Sequence, residues 1–550
     1  MSLAPYIAVC GGVENISRVL IPDSDLIFEV REHTLIQDSE LIEQLQEVQG
    51  KMQVRFVRSD SVSAEALLQL GETIAKEQAK RFESLQEPVE CEHRPLWHIT
   101  PPQGLLNDPN GFVFHNGQYH MFYQWYPYGC EHKDKHWAHL TSTDLINWEW
   151  QPVALTPSDW FDSHGVFSGH ALSQENELML FYTGNTRIGP QRDRHTTQCL
   201  ATSTDGVNFV KHGPVIGELP PGVTPHIRDP KVIRYDNQWL MLLGAQTEEL
   251  KGRLAIYKSD DLYQWTFDGL YGDEFGDFGY MWECPDMFNL SEQSFVVIGP
   301  QGIPSFSEHN SIPHHNGIVK ANWNDKDGLQ LSEFQHLDFG FDFYAPQTML
   351  TPDGRRVMCG WMGLPDEIDQ PSSDNGWVHQ LTTMREMSFR DGKLYQYPIH
   401  ELESLIESTN EFVLNSDGMD IETKSFDLTI TLEWGDELCL FENTTQKLTI
   451  KADDVERRLI LDRSKTLNRA QDTVRELPLE SGKIELRILA DTSSVEVFVN
   501  GGEAVMTSRV FTDVDATRLS LQGGERKATL NYLKAATSAF PKRLILKTTN

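Results

Sequence analysis

The 550-residue chain has no apolar stretch approaching the ~18 residues of a membrane-spanning helix. Its start, "MSLAPYIAVCGGVE", holds no basic segment and only a short apolar run, so a secretory leader is not expected there. Cysteine is scarce: Cys10, Cys91, Cys130, Cys199, Cys284, Cys359 and Cys439 are odd in number, and no two have CxxC spacing. That argues against a disulfide framework and a zinc site, and for a reducing compartment; a cytoplasmic protein is expected. Basic charge is also short, with 47 Lys and Arg against 81 Asp and Glu, a net of −34. Nucleic acid and anionic membrane are therefore not expected as partners. The 19 histidines show neither HExxH nor any other ligand spacing, so no metal and no cofactor is expected. What remains is a protein that works on a small molecule with its own side chains.

Three textures follow one another along the chain. Residues 1–90 form an extension with no catalytic pattern. In "SELIEQLQEV", Leu41, Ile42, Leu45 and Val48 share a helical face, and "AEALLQLGETIAKEQAKRFESL" does the same with Leu67, Leu70, Ile74, Phe82 and Leu85. The periodicity predicts two helices, with a strand or two beside them. Residues 91–400 are short strands broken by Gly, Asn, Asp and Pro. Here "STDLINW" (from Ser142), "STDGVNF" (from Ser203) and "SDDLYQW" (from Ser259) recur at intervals of about 60 residues, each after a strand pattern. That period over such a length predicts a five-bladed β-propeller. Residues 405–540 lose the repeat and alternate as in a β-sandwich, with a hairpin at Asn500-Gly501-Gly502. The predicted fold class is thus all-β: propeller, then sandwich, behind a small helix-containing extension.

Three carboxylates stand out in the propeller segment. Asp108 lies in "NDPNG", Asp229 in "RDPKV" and Glu283 in "WECPD". A propeller gathers the inner strands of all its blades around one channel, so residues distant in sequence can meet there. Glycoside hydrolysis needs two carboxylates, one protonated to serve the leaving oxygen and one ionised to attack or to activate water. Trp282 beside Glu283 would raise a carboxyl pKa, and turn N–H groups around Asp108 would lower one. Taken singly, Asp108 could as well be an Asx-turn residue and Asp229 a partner of Arg228.

The motifs "NDPNG", "FYQW", "VFSGHAL", "FYTG", "RDPKV", "WECPD", "FYAPQT" and "GWMG", in this order and spacing, resemble glycoside hydrolase family 32, the invertases and β-fructosidases. The likeness runs from about residue 95 to 540. It implies a retaining mechanism with Asp108 as nucleophile, Glu283 as general acid/base and Asp229 as transition-state stabiliser. It further implies substrate contacts from Asn107, Gln124, Phe167, Ser168, Arg228, Tyr344 and Trp361. The chain departs from the pattern at Leu105-Leu106, where many members have Trp-Met, and at Thr383-Met384-Arg385-Glu386, where many have Leu-Pro-Arg-Glu.

Within the family, "QWYPYGCEHKDKHWAHL" and "DFGFDFYAPQTML" are similar to the bacterial members that cleave sucrose 6-phosphate. The alternatives are a β-fructofuranosidase acting on free sucrose or short fructans, and a non-catalytic carbohydrate-binding propeller. A phosphorylated substrate would need a basic site built against the chain's own field. The candidates are His132 and Lys135, with Lys133 turned outward and Arg192 and Arg194 in reserve.

Overall fold

The computed structural model describes residues 3–22, 25–56, 62–82, 91–303, 314–324, 326–480 and 482–536. The N-terminal part is a four-stranded antiparallel sheet, in the order Ile16–Leu20, Leu26–Val30, Lys51–Phe56 and Ile42–Val48. It carries a helix, Ala64–Phe82, and a short one, Ala4–Val9. The longer helix was foreseen. Ser63 caps it by accepting the Ala66 N–H, Lys80 and Arg81 sit in its last turn, and Leu67, Leu70 and Ile74 bury its apolar face. Leu85 lies outside the described residues.

The other expected helix is a strand. Residues 42–48 pair antiparallel with 51–56 across Gln49 and Gly50, both at positive φ, the geometry of a two-residue hairpin. The strand lies at the sheet edge, so its apolar residues are only partly covered and Leu45 is exposed. The helical spacing there reflected an edge strand with little buried surface, and the turn at Gln49-Gly50 decided the outcome.

Five antiparallel blades follow. Their innermost strands are Gly104–His115, Val166–Gln174, Val223–Tyr235, Met281–Leu290 and Tyr344–Leu350, here blades I to V. Each innermost strand packs on the next, and the fifth packs on the first. Trp377–Val378, between the second and third strands of blade V, pairs in parallel with Gly104 and Leu105 and helps close the ring.

The Ser-x-Asp repeat is the turn between the third and fourth strands of blades I to III. Asp144 accepts N–H bonds from Ile146 and Asn147, Asp205 from Val207 and Asn208, and Asp261 from Tyr263 and Gln264. The next residue, Leu145, Gly206 or Leu262, takes positive φ. Blade IV uses Asn324 in the same way, accepting from Lys326 and Asp327, which hid it from a search for Asp.

The C-terminal part is two six-stranded sheets packed face to face around Phe426, Leu428, Leu440, Ile450, Leu461, Ile488 and Val497. It is joined to the propeller by buried ion pairs. Arg385 bonds Glu496 at 2.6 Å and Asp338 at 3.1 Å, and His98 bridges Asp491 and Glu496 at 3.0 and 3.1 Å. Thus the Thr-Met-Arg-Glu departure still delivers an arginine, which serves this interface. Leu105 and Leu106 are fully buried core residues.

Candidate active site

All five innermost strands carry a bulge at the same height. In blade I, Leu106 pairs with Trp125 and the next pair is Pro109 with Tyr123, so one extra residue is inserted. The same insertion falls after Val166, Arg228, Glu283 and Tyr344 in blades II to V. Asp229, Cys284 and Ala345 adopt positive φ there, and each is followed by proline. Proline lacks the N–H that a ladder would require and tolerates the interruption. The bulges turn Asp108, Ser168 and Asp229, with the neighbouring Arg228, Glu283 and Tyr344, toward the channel. The tight turn expected around Asp108 is therefore a bulged strand: the Asn-Asp-Pro-Asn-Gly signal marks a break in pairing, not a chain reversal.

The channel holds a cavity of about 400 Å³. Asp108, Asp229 and Glu283 line it, together with Asn107, Gln124, Phe167, Ser168, Arg228, Tyr344, Trp361, His132 and Lys135. Ser168 Oγ donates to Asp108 Oδ2, and Cys284 Sγ lies 3.7 Å from the same oxygen. Cys284 also donates its backbone N–H to Asp229 Oδ2 at 2.9 Å, with Sγ 3.6 Å away. Cys284 thus sits between the two aspartates. Asn107 Nδ2 donates to Gln124 Oε1 across the blade I bulge, at 2.5 Å. Glu283 is the most heavily bonded of the three carboxylates. Oε1 accepts from Arg228 Nε and NH2 at 3.0 and 2.6 Å, and Oε2 accepts from Tyr344 and Gln301, both at 2.7 Å.

These contacts divide the carboxylates. Burial raises Asp108, against the pull of its Ser168 and Asn107 hydrogen bonds and the Lys135 charge. Burial lifts Asp229 to about 7, even beside Arg228. Burial would raise Glu283 too, but the Arg228 charge and the Tyr344 and Arg228 hydrogen bonds overrule it and hold the carboxyl low. Both electrostatic expectations from the sequence are corrected here. Trp282 faces away, as strand alternation requires; it is fully buried, and its Nε1 donates to the Phe278 carbonyl. Around Asp108 the hydrogen bonds come from the Ser168 and Asn107 side chains, because the segment is a bulged strand and not a turn.

The basic residues fall only partly as expected. Lys133 is exposed and paired with Glu131. His132 packs edge-on to Trp361 with ring centres 5.9 Å apart and stays exposed to solvent, while the surrounding protein, with Lys135 nearby, lowers its pKa. Lys135 is 4% exposed, its Nζ is buried and unpaired, and burial lowers it to about 7 against the opposing pull of Asp108. Lys135 is therefore not an exposed cation at a cavity mouth. Arg192 and Arg194 also line the cavity, with Arg187 and His164, which sequence reasoning missed. Arg187 and Arg194 are cross-strand partners, so one hairpin presents both. The Arg194 guanidinium lies 5.5 Å from the Phe167 ring centre.

Other missed residues hold the first set in place. Gln301 braces Glu283, and Thr183 Oγ1 accepts the Asp229 N–H at 3.1 Å. Thr183 stands opposite the blade II bulge, as Gln124 stands opposite that of blade I, and it lay inside the "FYTG" motif. Among the described residues, no group of three His, Cys, Asp or Glu is arranged to hold a metal.

Comparison with known proteins agrees with this arrangement. Residues 98–398 match the glycosyl hydrolases family 32 N-terminal domain, and residues 401–537 match the family 32 C-terminal domain. The chain belongs to glycosyl hydrolase family 32. It is 58% identical over 545 residues to the "Probable sucrose-6-phosphate hydrolase" of Psychromonas ingrahamii, covering 98% of this chain and all of that one. It is 52% identical over 540 residues to the protein of the same name from Vibrio cholerae, covering 98% of each. Among solved structures, a sucrose-6-phosphate hydrolase from Lactobacillus gasseri superposes with a TM-score of 0.77 at 28% identity, over 84% of this chain and 96% of that one. The family 32 assignment makes the chain a glycoside hydrolase with a propeller and a sandwich. No described helix is long and apolar enough to cross a membrane.

Proposed function

We propose that the protein hydrolyses the β-fructofuranosidic bond of sucrose 6-phosphate, giving glucose 6-phosphate and fructose with retention. In the first step an Asp108 oxygen attacks the fructosyl anomeric carbon, and the bond to the glucosyl oxygen breaks. Glu283 gives that oxygen a proton. In the second step Glu283 takes a proton from water, and the resulting hydroxide displaces Asp108. Asp229 binds fructosyl hydroxyls and stabilises the charge developing on the ring. Asn107, Gln124, Phe167, Ser168, Arg228, Tyr344 and Trp361 shape the pocket around it.

The charge arrangement supports a proton shared among coupled carboxylates. Arg228 favours ionised Glu283, the state needed in the second step. The first step needs Glu283 protonated and Asp108 ionised. Burial keeps Asp108 and Asp229 inclined toward the neutral form, so a proton is held within the site. A leaving oxygen placed against Glu283 draws it there.

The observation that carries the phosphate reading is the trio Arg187, Arg192 and Arg194 on the cavity wall of a chain with net charge −34. Arg194 NH1 donates only to a neutral group, Asn185 Oδ1, at 3.2 Å, and its Nε is buried without a partner. Arg194 is lowered to about 9 by burial and then by Arg228 and Arg187, and Arg187 is lowered by burial and Arg192. Cations crowded at such a cost invite an anion, and the names of the relatives are in keeping with a sugar phosphate. Initial rates on sucrose 6-phosphate and sucrose test this. A phosphate held by one or two charge-assisted contacts should favour the former by roughly ten- to a hundredfold. Replacing Arg192 and Arg194 by Ala should abolish most of that preference; equal rates in the unmodified enzyme would leave a β-fructofuranosidase of free sucrose or short fructans.

A further inference from the structure

An arginine of the N-terminal sheet reaches the cavity wall. Arg18, on strand Ile16–Leu20, donates from Nε to Glu29 Oε1 at 3.1 Å on the neighbouring strand. Its NH1 donates to the Ser163 carbonyl at 2.8 Å, and its NH2 is ion-paired with Asp134. Asp134 belongs to the blade I loop that carries His132 and Lys135. Ser163 precedes His164 in the loop entering blade II. These two loops are joined by the Val166 N–H, which donates to the Lys135 carbonyl at 2.9 Å. Asp134 and His164 both line the cavity. The extension is seated closely enough for this: a Cβ at Gly71 of its long helix would collide with the Asp159 carboxylate, and Trp160 packs into its core.

Apart from Asp108, Asp229 and Glu283, Asp134 is the single carboxylate among the described residues lining the cavity. Arg192 as well as Arg18 acts on it through space. Without Arg18, Asp134 would have two ways to spoil an anion site. It could repel a phosphate dianion, or it could draw Arg192 into an ion pair.

We propose that the N-terminal extension takes part in substrate selection: Arg18 is a positioning residue that neutralises Asp134 and ties its loop to the blade II loop, leaving the Arg187, Arg192 and Arg194 cluster available to the phosphate of a sugar phosphate. The inference rests on the phosphate reading above, and it assigns a role to a segment that lies outside the matched family domains.

The test is the ratio of kcat/KM on sucrose 6-phosphate to kcat/KM on sucrose, measured on full-length protein with melting temperatures recorded alongside. Arg18→Ala should lower the ratio about tenfold, the size of one charge interaction at a binding site, through KM for the phosphorylated substrate. Arg18→Lys, which keeps the charge, should retain most of the ratio. Adding Asp134→Asn to Arg18→Ala should restore it, because the offending charge is then gone. A purely structural role for Arg18 would not be rescued that way. An unchanged ratio in Arg18→Ala, a loss in Arg18→Lys equal to that of Arg18→Ala, or no rescue by Asp134→Asn each overturns the inference. Wild-type protein that turns over both substrates equally overturns the phosphate reading and this inference with it. Wild-type preference that survives Arg18→Ala overturns this inference alone.

Discussion

Two nitrogens of Arg228 converge on one oxygen of Glu283, at 3.0 and 2.6 Å. The proposed proton donor thus rests beside the group that most disfavours its proton. Removing the guanidinium removes the charge that depresses Glu283, while burial, which raises it, remains. In the proposed mechanism the first step requires protonated Glu283, so kcat/KM falls as pH rises through that pKa. Arg228→Ala should therefore move the alkaline limb of the kcat/KM profile upward by roughly 1–3 units, even as the rate itself falls. An alkaline limb that stays in place would remove Glu283 from the role of acid.

Asp108→Asn should leave a folded protein with turnover lowered by several orders of magnitude, because an amide cannot form the covalent fructosyl intermediate. Glu283→Gln should be nearly as damaging on natural substrates and much less so on aryl fructosides, whose leaving groups need little protonation. Initial rates on both substrate types, with circular dichroism to verify folding, separate the two roles. Comparable losses for Glu283→Gln on both types would argue that Glu283 organises the pocket and does not move a proton.

The three carboxylates of the cavity were legible in the sequence for a structural reason. Each lies beside an inner-strand bulge, and a proline follows within two residues of each: Pro109, Pro230 and Pro285. Turn-type residues inside strand patterns were the visible trace of that interruption. The Asp of the 60-residue repeat was equally legible, because its carboxylate closes a local turn and needs no tertiary partner. Of the proposed phosphate cluster, the sequence offered Arg192 and Arg194 as a reserve pair and missed Arg187. Arg187 and Arg194 meet only through the pairing of two strands, and the burial of Lys135 depends on the packing of the finished cavity. Neither is encoded in local spacing. Residues 42–48 failed for the opposite reason: an edge strand buries too little for its apolar period to identify it.

Arg385 offers a test of the junction between propeller and sandwich. It is fully buried, bonded to Glu496 and Asp338 at once, and it also donates to Thr507. Its removal leaves Asp338 without its cation and Glu496 with His98 as its remaining basic partner. Breaking one partner of a buried ionic network costs about 3–5 kcal/mol. Arg385→Ala should show a loss of that order in chemical denaturation, or fail to accumulate in folded form. A stability within experimental error of wild type would mean that water enters the junction freely.

Asp229 allows a pH-dependent prediction whose sign follows from its environment. Its folded pKa is raised from 3.8 to about 7, chiefly by burial. A group raised in this way contributes no penalty below its unfolded pKa, where it is protonated in both states. Stability is then lost as pH rises toward the folded pKa, because the buried carboxyl resists an ionisation that the unfolded chain completes readily. Asp229→Asn removes that ionisation and keeps an oxygen to accept the Cys284 N–H. The variant should therefore melt at the same temperature as wild type near pH 4 and at a higher temperature at pH 8, with turnover sharply reduced because the ring charge loses its stabilising carboxylate. This is the expected trade between stability and activity at a site that holds three acids together. Melting curves at the two pH values decide it. A variant less stable than wild type at pH 8 would show that Asp229 is held ionised by Arg228 and serves the fold as well as the reaction.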